Sequence, residues 1–407
     1  MSKTDRDTEA EQASFLRWRQ IPSSVWALGF VSLLMDTSSE MVNALLPLYL
    51  VTVLGTSTFM VGMIEGIAEA TASIVKIFSG ALSDRLGKRK PIVAAGYGLA
   101  AATKPVFPLA GSVGWIVAAR FVDRVGKGIR DAPRDALIAD ISPAEIRGAA
   151  FGLRQSLDTA GAFLGPLFAI ILMALTASNF IIVFWIAVIP AMLSFALIVL
   201  AVDEPDPAPT KIARPPLSRA ELARLGGSFW LVVGVATIFT LARFSEAFLL
   251  LRAQSVGFPP ALAPSVMLIM NVVYAFSAWP VGWLSDRIGR GGLLMGGFSV
   301  LVVADLMLAF APNMTVVAAA AAAWGLHMGL TQGLLASLVA DTAPDDLRGT
   351  AFGVLSFVTG IGVLAASLIA GTLWDIFGPT STFLAGAAFT MFALLVTPLA
   401  RMAANRT

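Results

Sequence analysis

The chain has no cysteine and a single histidine among its 407 residues. The first absence excludes disulfides and thiolate metal sites, and the second excludes a histidine-rich metal centre. Charge is scarce too: Asp, Glu, Lys and Arg make up 13% of the chain, against 57% hydrophobic residues. That balance excludes a soluble domain of ordinary composition. Gly126-Lys127-Gly128 lacks the spacing of a phosphate loop, and no nucleophile–base pair stands out, so neither an enzyme nor a cofactor is expected. The net charge of +2 comes from basic loops and gives no support for nucleic-acid binding.

Long apolar runs are what the chain has. Mean hydropathy is +0.81. Stretches long enough to cross a bilayer, at roughly 20 residues each, fall near 25–50, 59–82, 91–110, 112–139, 148–174, 179–202, 228–252, 260–283, 292–312, 315–339, 349–375 and 380–402. They predict twelve spans. Lys and Arg gather before span 1, after span 2 (Arg85, Lys88, Arg89, Lys90), between spans 6 and 7, and after span 8 (Arg287, Arg290). Short loops rich in these residues are cytoplasmic, which places both ends there. The expected layout is a cytoplasmic tail 1–22, a six-span bundle 23–202, a linker 203–226 and a second six-span bundle 227–407 ending in a short cytoplasmic tail. The tail lacks the apolar core of a signal peptide. The Pro-rich linker reads as a tether with a short surface helix at Leu217 to Leu225.

Two motifs recur half a chain apart. Gly80-Ala-Leu-Ser-Asp84-Arg85-Leu-Gly87-Lys88-Arg89 returns as Gly282-Trp-Leu-Ser-Asp286-Arg287-Ile-Gly289-Arg290, and the stretch from Asp140 to Gly152 returns from Asp341 to Gly353, at offsets of 202 and 201. Two homologous halves in parallel produce this pattern, and it points to a transporter. On these features the chain resembles the major facilitator superfamily. The family's loop motif G-x-x-x-D-R-x-G-R-R/K is met by Gly80, Asp84, Arg85, Gly87, Lys88 and Arg89, and in the second half by Gly282, Asp286, Arg287, Gly289 and Arg290, with Gly291 at the last position. The span 4 motif R-x-x-Q-G-x-G is matched in part, by Arg124 and Gly128, with Lys127 and Arg130 replacing the Gln and the second Gly. Gly161, Gly165 and Pro166 are similar to the G-x-x-x-G-P motif of the superfamily's proton-coupled exporters, although small residues four apart also serve close helix contact.

The resemblance implies an all-α membrane protein, with twelve transmembrane helices in two parallel-repeat six-helix bundles and a central cavity lined by spans 1, 4, 7 and 10. It implies a secondary active transporter working by alternating access, expected to be monomeric and multi-pass in the cytoplasmic membrane of a bacterium. Its partners would be protons, a small organic substrate and the lipid bilayer. Export is the first reading; cation or metal-chelate transport and proton-coupled uptake are the alternatives. A membrane-embedded enzyme or a transport-dead structural subunit is the rival from another class.

An ionised side chain at mid-bilayer costs about 2.5–3.5 kcal/mol on insertion scales, so such residues usually carry function. Asp36, Glu40 and Asn43 share one stripe of span 1, and Glu65, Glu69 and Lys76 one of span 2. Span 4 carries Arg120, Arg124, Lys127, Asp131 and Arg134 on one stripe with Asp123, Arg130 and Asp135 beside it, and span 5 adds Arg154 and Asp158. At the repeat offset, Arg124, Lys127, Arg130 and Asp158 meet Gly325, Met328, Thr331 and Thr359, so the fold itself does not require these charges. Acids outnumber bases by one across spans 1, 2, 4 and 5. Proton coupling is therefore assigned to Asp36 and Glu40 with Arg124 as their electrostatic regulator, and Glu65, Glu69 and Asp158 in reserve. Arg130, Asp131, Arg134 and Asp135 read as solvated pairs of a cytoplasmic gate.

Substrate contact is assigned to Asn43, Lys127, Arg154, Arg243, Glu246, Asn271, Tyr274, Trp324, His327 and Gln332, since sparse polar groups on aromatic walls suit an organic ligand. Packing is the plainer reading of the aromatics, mutual pairing that of Arg243 and Glu246, and a hydrogen-bonded structural role that of His327. A gate is expected where each loop arginine, Arg85 or Arg287, meets an acid at the end of the fourth span of its half, Asp140 or Asp341, beside Asp84 and Asp286. Lys104, before Pro105, is expected to snorkel at the outer end of span 3.

Overall fold

The computed structural model describes residues 20–143, 145–203, 219–288, 290–344 and 347–404, and among them the chain is helical without a strand. The first half runs through α1 (Ser23–Asn43), α2 (Leu46–Thr52), α3 (Thr58–Leu86), α4 (Lys90–Thr103), α5 (Val106–Leu109), α6 (Val113–Ile141), α7 (Arg147–Leu175) and α8 (Phe180–Ala201). A four-residue α9 (Arg219–Leu222) leads into the second half. There follow α10 (Gly227–Ala242), α11 (Ala247–Ser255), α12 (Ser265–Ile288), α13 (Arg290–Ala309), α14 (Met314–Thr342), α15 (Arg348–Phe377) and α16 (Pro379–Ala404).

Among the described residues, nine helical stretches are long and apolar enough to cross a membrane. The three remaining expected spans correspond to α1, α6 and α12, and within the described side chains of α12 the apolar stretch is Ser265–Ala278. In α6 the cause is chemical: eight charged residues between Arg120 and Asp135 lower its hydropathy, and its arginines are turned into the protein. Of the expected linker, residues 204–218 lie outside the described set. Its far end is anchored rather than free. Glu221 accepts the Thr350 hydroxyl at 2.8 Å, and Leu225 packs with Phe229, Val339 and Leu347.

Local sequence explains where helices start, stop and break. Ser57 caps α3 by accepting the Met60 N–H at 3.2 Å. Gly87, the motif glycine, closes α3 with φ +63°, a left-handed backbone that glycine adopts without strain. Between α10 and α11, residues Arg243 to Glu246 leave the helix. Ser367 of α15 accepts the freed Ser245 N–H at 3.2 Å, so this unwound stretch stays satisfied inside protein.

The halves meet chiefly where α3 packs on α15 and where α7 packs on α12. A Cβ on Gly62 would lie 2.2 Å from the Ser367 carbonyl oxygen, and one on Gly371 2.6 Å from Phe59 Cα, so glycine is what lets these two backbones touch. Asp375 of α15 closes the end of this seam by capping α3, accepting the Thr58 N–H at 3.0 Å, the Phe59 N–H at 2.9 Å and the Thr58 hydroxyl. The close contact runs on as far as Ser73 and Gly360; beyond it α3 touches α6 of its own half, as Gly128 against Val75 and Gly80 against Ala132 show. The halves are thus in backbone contact from the Thr58 end as far as Ser73 and Gly360. Gly161 and Gly165 serve contact as well: their Cβ atoms would lie 2.7 Å from the Leu33 carbonyl oxygen and 2.4 Å from Glu40 Cβ. Close packing of α7 on α1 accounts for that motif.

Candidate functional site

A cavity of about 440 Å³ lies between the halves. From the first half it is lined by Glu40, Asn43, Glu65, Glu69, Arg120, Arg124 and Lys127, and from the second by Phe239, Thr240, Arg243, Phe244, Glu246, Met267, Gln332 and Thr359. The wall is asymmetric. Charge covers the first-half face, while aromatic and aliphatic groups dominate the second around the Arg243–Glu246 break.

Helical spacing on α6 aims its bases at two clusters. In the first, Arg120 binds Glu65 at 2.6 Å and Arg124 binds Glu69 at 3.1 Å. Asn43 ties them to α1, accepting from Arg120 and Arg124 and donating to Glu40 Oε1 at 3.0 Å. Behind them Lys104 is 1% exposed and binds Asp123 at 2.9 Å and Ser39 Oγ at 3.0 Å. This corrects the snorkelling reading of Lys104: the break after α4 turns its side chain inward, towards a carboxylate that no spacing rule connects to it.

The second cluster lies further along α6. Asp36, Asp131, Asp135 and Asp158 stand within 4.0 Å of Arg130, Arg134 or Arg154. Arg130 also stacks on the Tyr97 ring at 4.5 Å, and Arg134 donates to Ser32 Oγ at 3.1 Å and Tyr97 Oη at 3.3 Å. Both arginines are 3% exposed, which corrects the expectation of solvated gate pairs. Asp36 of α1 and Asp158 of α7 thus face one arginine cluster on α6, at 3.9 Å from Arg130 and 4.0 Å from Arg134.

The remaining expected residues separate clearly. Glu40, Asn43, Glu65, Glu69, Arg124, Lys127, Arg243, Glu246 and Gln332 line the cavity, whereas Asp36, Arg154, Asp158, Asn271, Tyr274, Trp324 and His327 do not. Arg124 faces Glu69 and meets Glu40 through Asn43, whereas the arginine near Asp36 is Arg130, at 3.9 Å. Arg154 binds Asp158 at 3.2 Å. Asn271 reaches across to the Ala162 carbonyl at 3.4 Å. Trp324 and His327 are fully buried, packed with Phe239 and Phe244. Trp324 donates to Asp305 at 3.1 Å. Both nitrogens of His327 are buried, and the polar group that faces the ring is the Gly297 backbone. Arg243 and Glu246 lie on a broken stretch and form no ion pair within 4 Å. Asp140 meets Arg89, not Arg85, and Arg89 also binds Asp84 at 2.9 Å. The side chains of Asp286, Arg287 and Asp341 lie outside the described residues.

Arg120 was visible on the span 4 stripe but had no assigned role, and Thr240 and Thr359 carried no sequence signal. The repeat shows how each half holds its fourth helix. Where α6 has Arg124, α14 has Gly325, whose Cβ would lie 2.2 Å from the Met270 carbonyl oxygen. At that position one half uses ion pairs and the other backbone contact, while α6 also closes on α4 at Gly126, whose Cβ would lie 2.7 Å from the Gly96 carbonyl oxygen.

The model of the Major Facilitator Superfamily matches residues 28–364 and 244–406. The chain belongs to the major facilitator superfamily. It is an integral, multi-pass membrane protein of a transporter family, with the all-α fold of that family. An uncharacterized MFS-type transporter of Methanocaldococcus jannaschii is 33% identical over 390 residues, covering 93% of this chain and 95% of the relative. A multi-drug resistance efflux pump of Streptococcus pneumoniae is 28% identical over 152 residues, 36% of this chain and 35% of that one. Among solved structures, a bacterial homologue of the human lysosomal transporter Spinster, in an inward-facing and occupied conformation, superposes with a TM-score of 0.76 at 16% identity over 93% of this chain and 96% of that one. At that identity the likeness concerns the fold. Major facilitators bind small molecules, and among the described residues no group of three or more metal-binding side chains gathers.

Proposed function

We propose that this major facilitator is a proton-coupled secondary transporter that exports a small organic compound through the cavity between its halves. The observation that carries coupling is the placement of Asp36 and Asp158 in one arginine cluster. In their cluster four carboxyl groups share three guanidinium groups within 4.0 Å, and a proton on the Asp36–Asp158 pair balances the fourth. Each of the two keeps 23% of its side chain exposed, enough for water to deliver that proton. Losing it places a second charge on the pair, which strengthens its hold on Arg130 and Arg134 and biases α6 against α1 and α7. Proton and substrate then compete through one conformational equilibrium without touching.

The basic loops support the orientation in which the Arg85 end faces the cytoplasm. In that orientation the sealed Thr58 end faces outward, and entry to the cavity from the opposite, cytoplasmic end is where an exporter loads its cargo, in the cytoplasmic membrane of a bacterium. Export also draws support from the partial likeness to an efflux pump. Proteoliposomes holding only this protein and a trapped pH dye test the proposal. An imposed gradient of a transported compound should drive a pH change that Asp36→Asn abolishes while compound exchange survives. Compound movement without any proton movement refutes coupling.

A further inference from the structure

We infer that the ligand of the cavity is a zwitterion, a compound carrying a carboxylate and an ammonium group on an apolar body. The inference rests on the reading of this cavity as the transport site. Two of its acids and two of its bases are already committed to each other, Glu65 to Arg120 and Glu69 to Arg124. Four charged groups remain on the wall: Glu40 and Lys127 from the first half, Arg243 and Glu246 from the second. Among the described residues none of the four has an opposite charge within 4 Å, and the hydrogen bond that Glu40 accepts there comes from the Asn43 amide.

Arg243 is the most exacting of them. Among the described residues its Nε is buried and without a hydrogen-bond partner, and it stands on the helix break at 243–246. A planar guanidinium in this condition fits a carboxylate held through two hydrogen bonds. Across the cavity, Glu40 has one oxygen taken by Asn43 and one left for an ammonium group. Phe239, Phe244, Leu250 and Met267 supply the apolar wall for the body between the two heads, in a cavity of about 440 Å³.

The other two charges argue for both heads together. Glu246, three residues from Arg243, opposes a ligand that brings only a negative charge, and Lys127 opposes one that brings only a positive charge. A singly charged ligand also leaves the cavity with an added net charge away from water, which is costly. A zwitterion satisfies one acid and one base and adds none. Since Arg243 and Glu40 belong to different halves, such a ligand bridges them and favours the state that brings them together.

The test is a binding series on one aromatic body: biphenylalanine, its methyl ester, its N-acetyl derivative and its N-acetyl methyl ester. Binding to the purified full-length chain is measured by equilibrium dialysis with no proton gradient, so failure of proton coupling leaves this result untouched, and failure here leaves the proton assay untouched. Saturable binding of the zwitterion, at least about tenfold tighter than each of the other three, is expected from a single charge-assisted hydrogen bond at either head. Arg243→Gln should reduce it to the level of the ester, and Glu40→Gln to that of the N-acetyl derivative. Equal binding of any singly charged or neutral compound overturns the inference, as does saturable binding by none of the four. Should either variant fail to fold, the wild-type series alone decides.

Discussion

Replacing Asp375 with Ala should shift the molecule towards a conformation open at the Thr58 end. Asp375 holds the halves together by capping a helix of the opposite half, through the Thr58 and Phe59 N–H groups at 3.0 and 2.9 Å and the Thr58 hydroxyl. Removing a cap costs about 0.5–2 kcal/mol, and hydrogen bonds to a charged acceptor lie at the upper end of that range. The bonds exist only while α3 and α15 touch, so the whole loss falls on the sealed state. A loss of about 1–2 kcal/mol changes the ratio of sealed to open molecules roughly 5- to 30-fold. The absence of cysteine lets spin labels be placed at Val53→Cys and Phe377→Cys, both exposed sites (54% and 70%) at the sealed end of opposite halves. Electron–electron distance measurements should show the longer-distance population growing in Asp375→Ala, with a smaller gain in Asp375→Asn. An unchanged distribution in a well-folded Asp375→Ala protein would refute the view that this cap holds the seam.

Gly62→Val should open the same end by collision with the Ser367 carbonyl, giving the same spectroscopic signature; a retained short distance would show that the seam can give way. Lys104→Met leaves Asp123 buried, with Arg124 at 3.7 Å and Arg120 at 3.9 Å as its remaining cations, and should cost about 3 kcal/mol, seen as a lower melting temperature that Lys104→Met with Asp123→Leu largely restores. A cysteine at Lys88 should resist an impermeant thiol reagent applied to intact cells while one at Val53 reacts, and the reverse pattern would invert the orientation.

The duplicated loop motif and the apolar runs made the fold legible, because span length and basic loops are set by the bilayer and reappear in each half. Stripe arithmetic likewise placed Glu40, Glu65, Glu69, Arg124 and Lys127 on one interior face, since helical spacing fixes direction. It did not tell which acid meets which base. Arg130 reaches Asp36 and Arg124 reaches Glu69 because of how α1, α3 and α6 cross, and crossing geometry is not written in any one helix. Lys104 was misread for the same reason, its partner Asp123 lying on another helix. His327 and Trp324 carried the composition of a binding wall, yet α14 turns them into the core beside Phe239 and Phe244.

The central claim, a proton shared by Asp36 and Asp158, is tested most directly by infrared difference spectroscopy of the purified protein across a pH titration. The account predicts a protonated-carboxyl C=O band that titrates in the wild type and is lost or displaced in both Asp36→Asn and Asp158→Asn, while Glu40→Gln leaves it in place. A band that persists unchanged in both aspartate variants, or a wild type with no titrating carboxyl band, would contradict it.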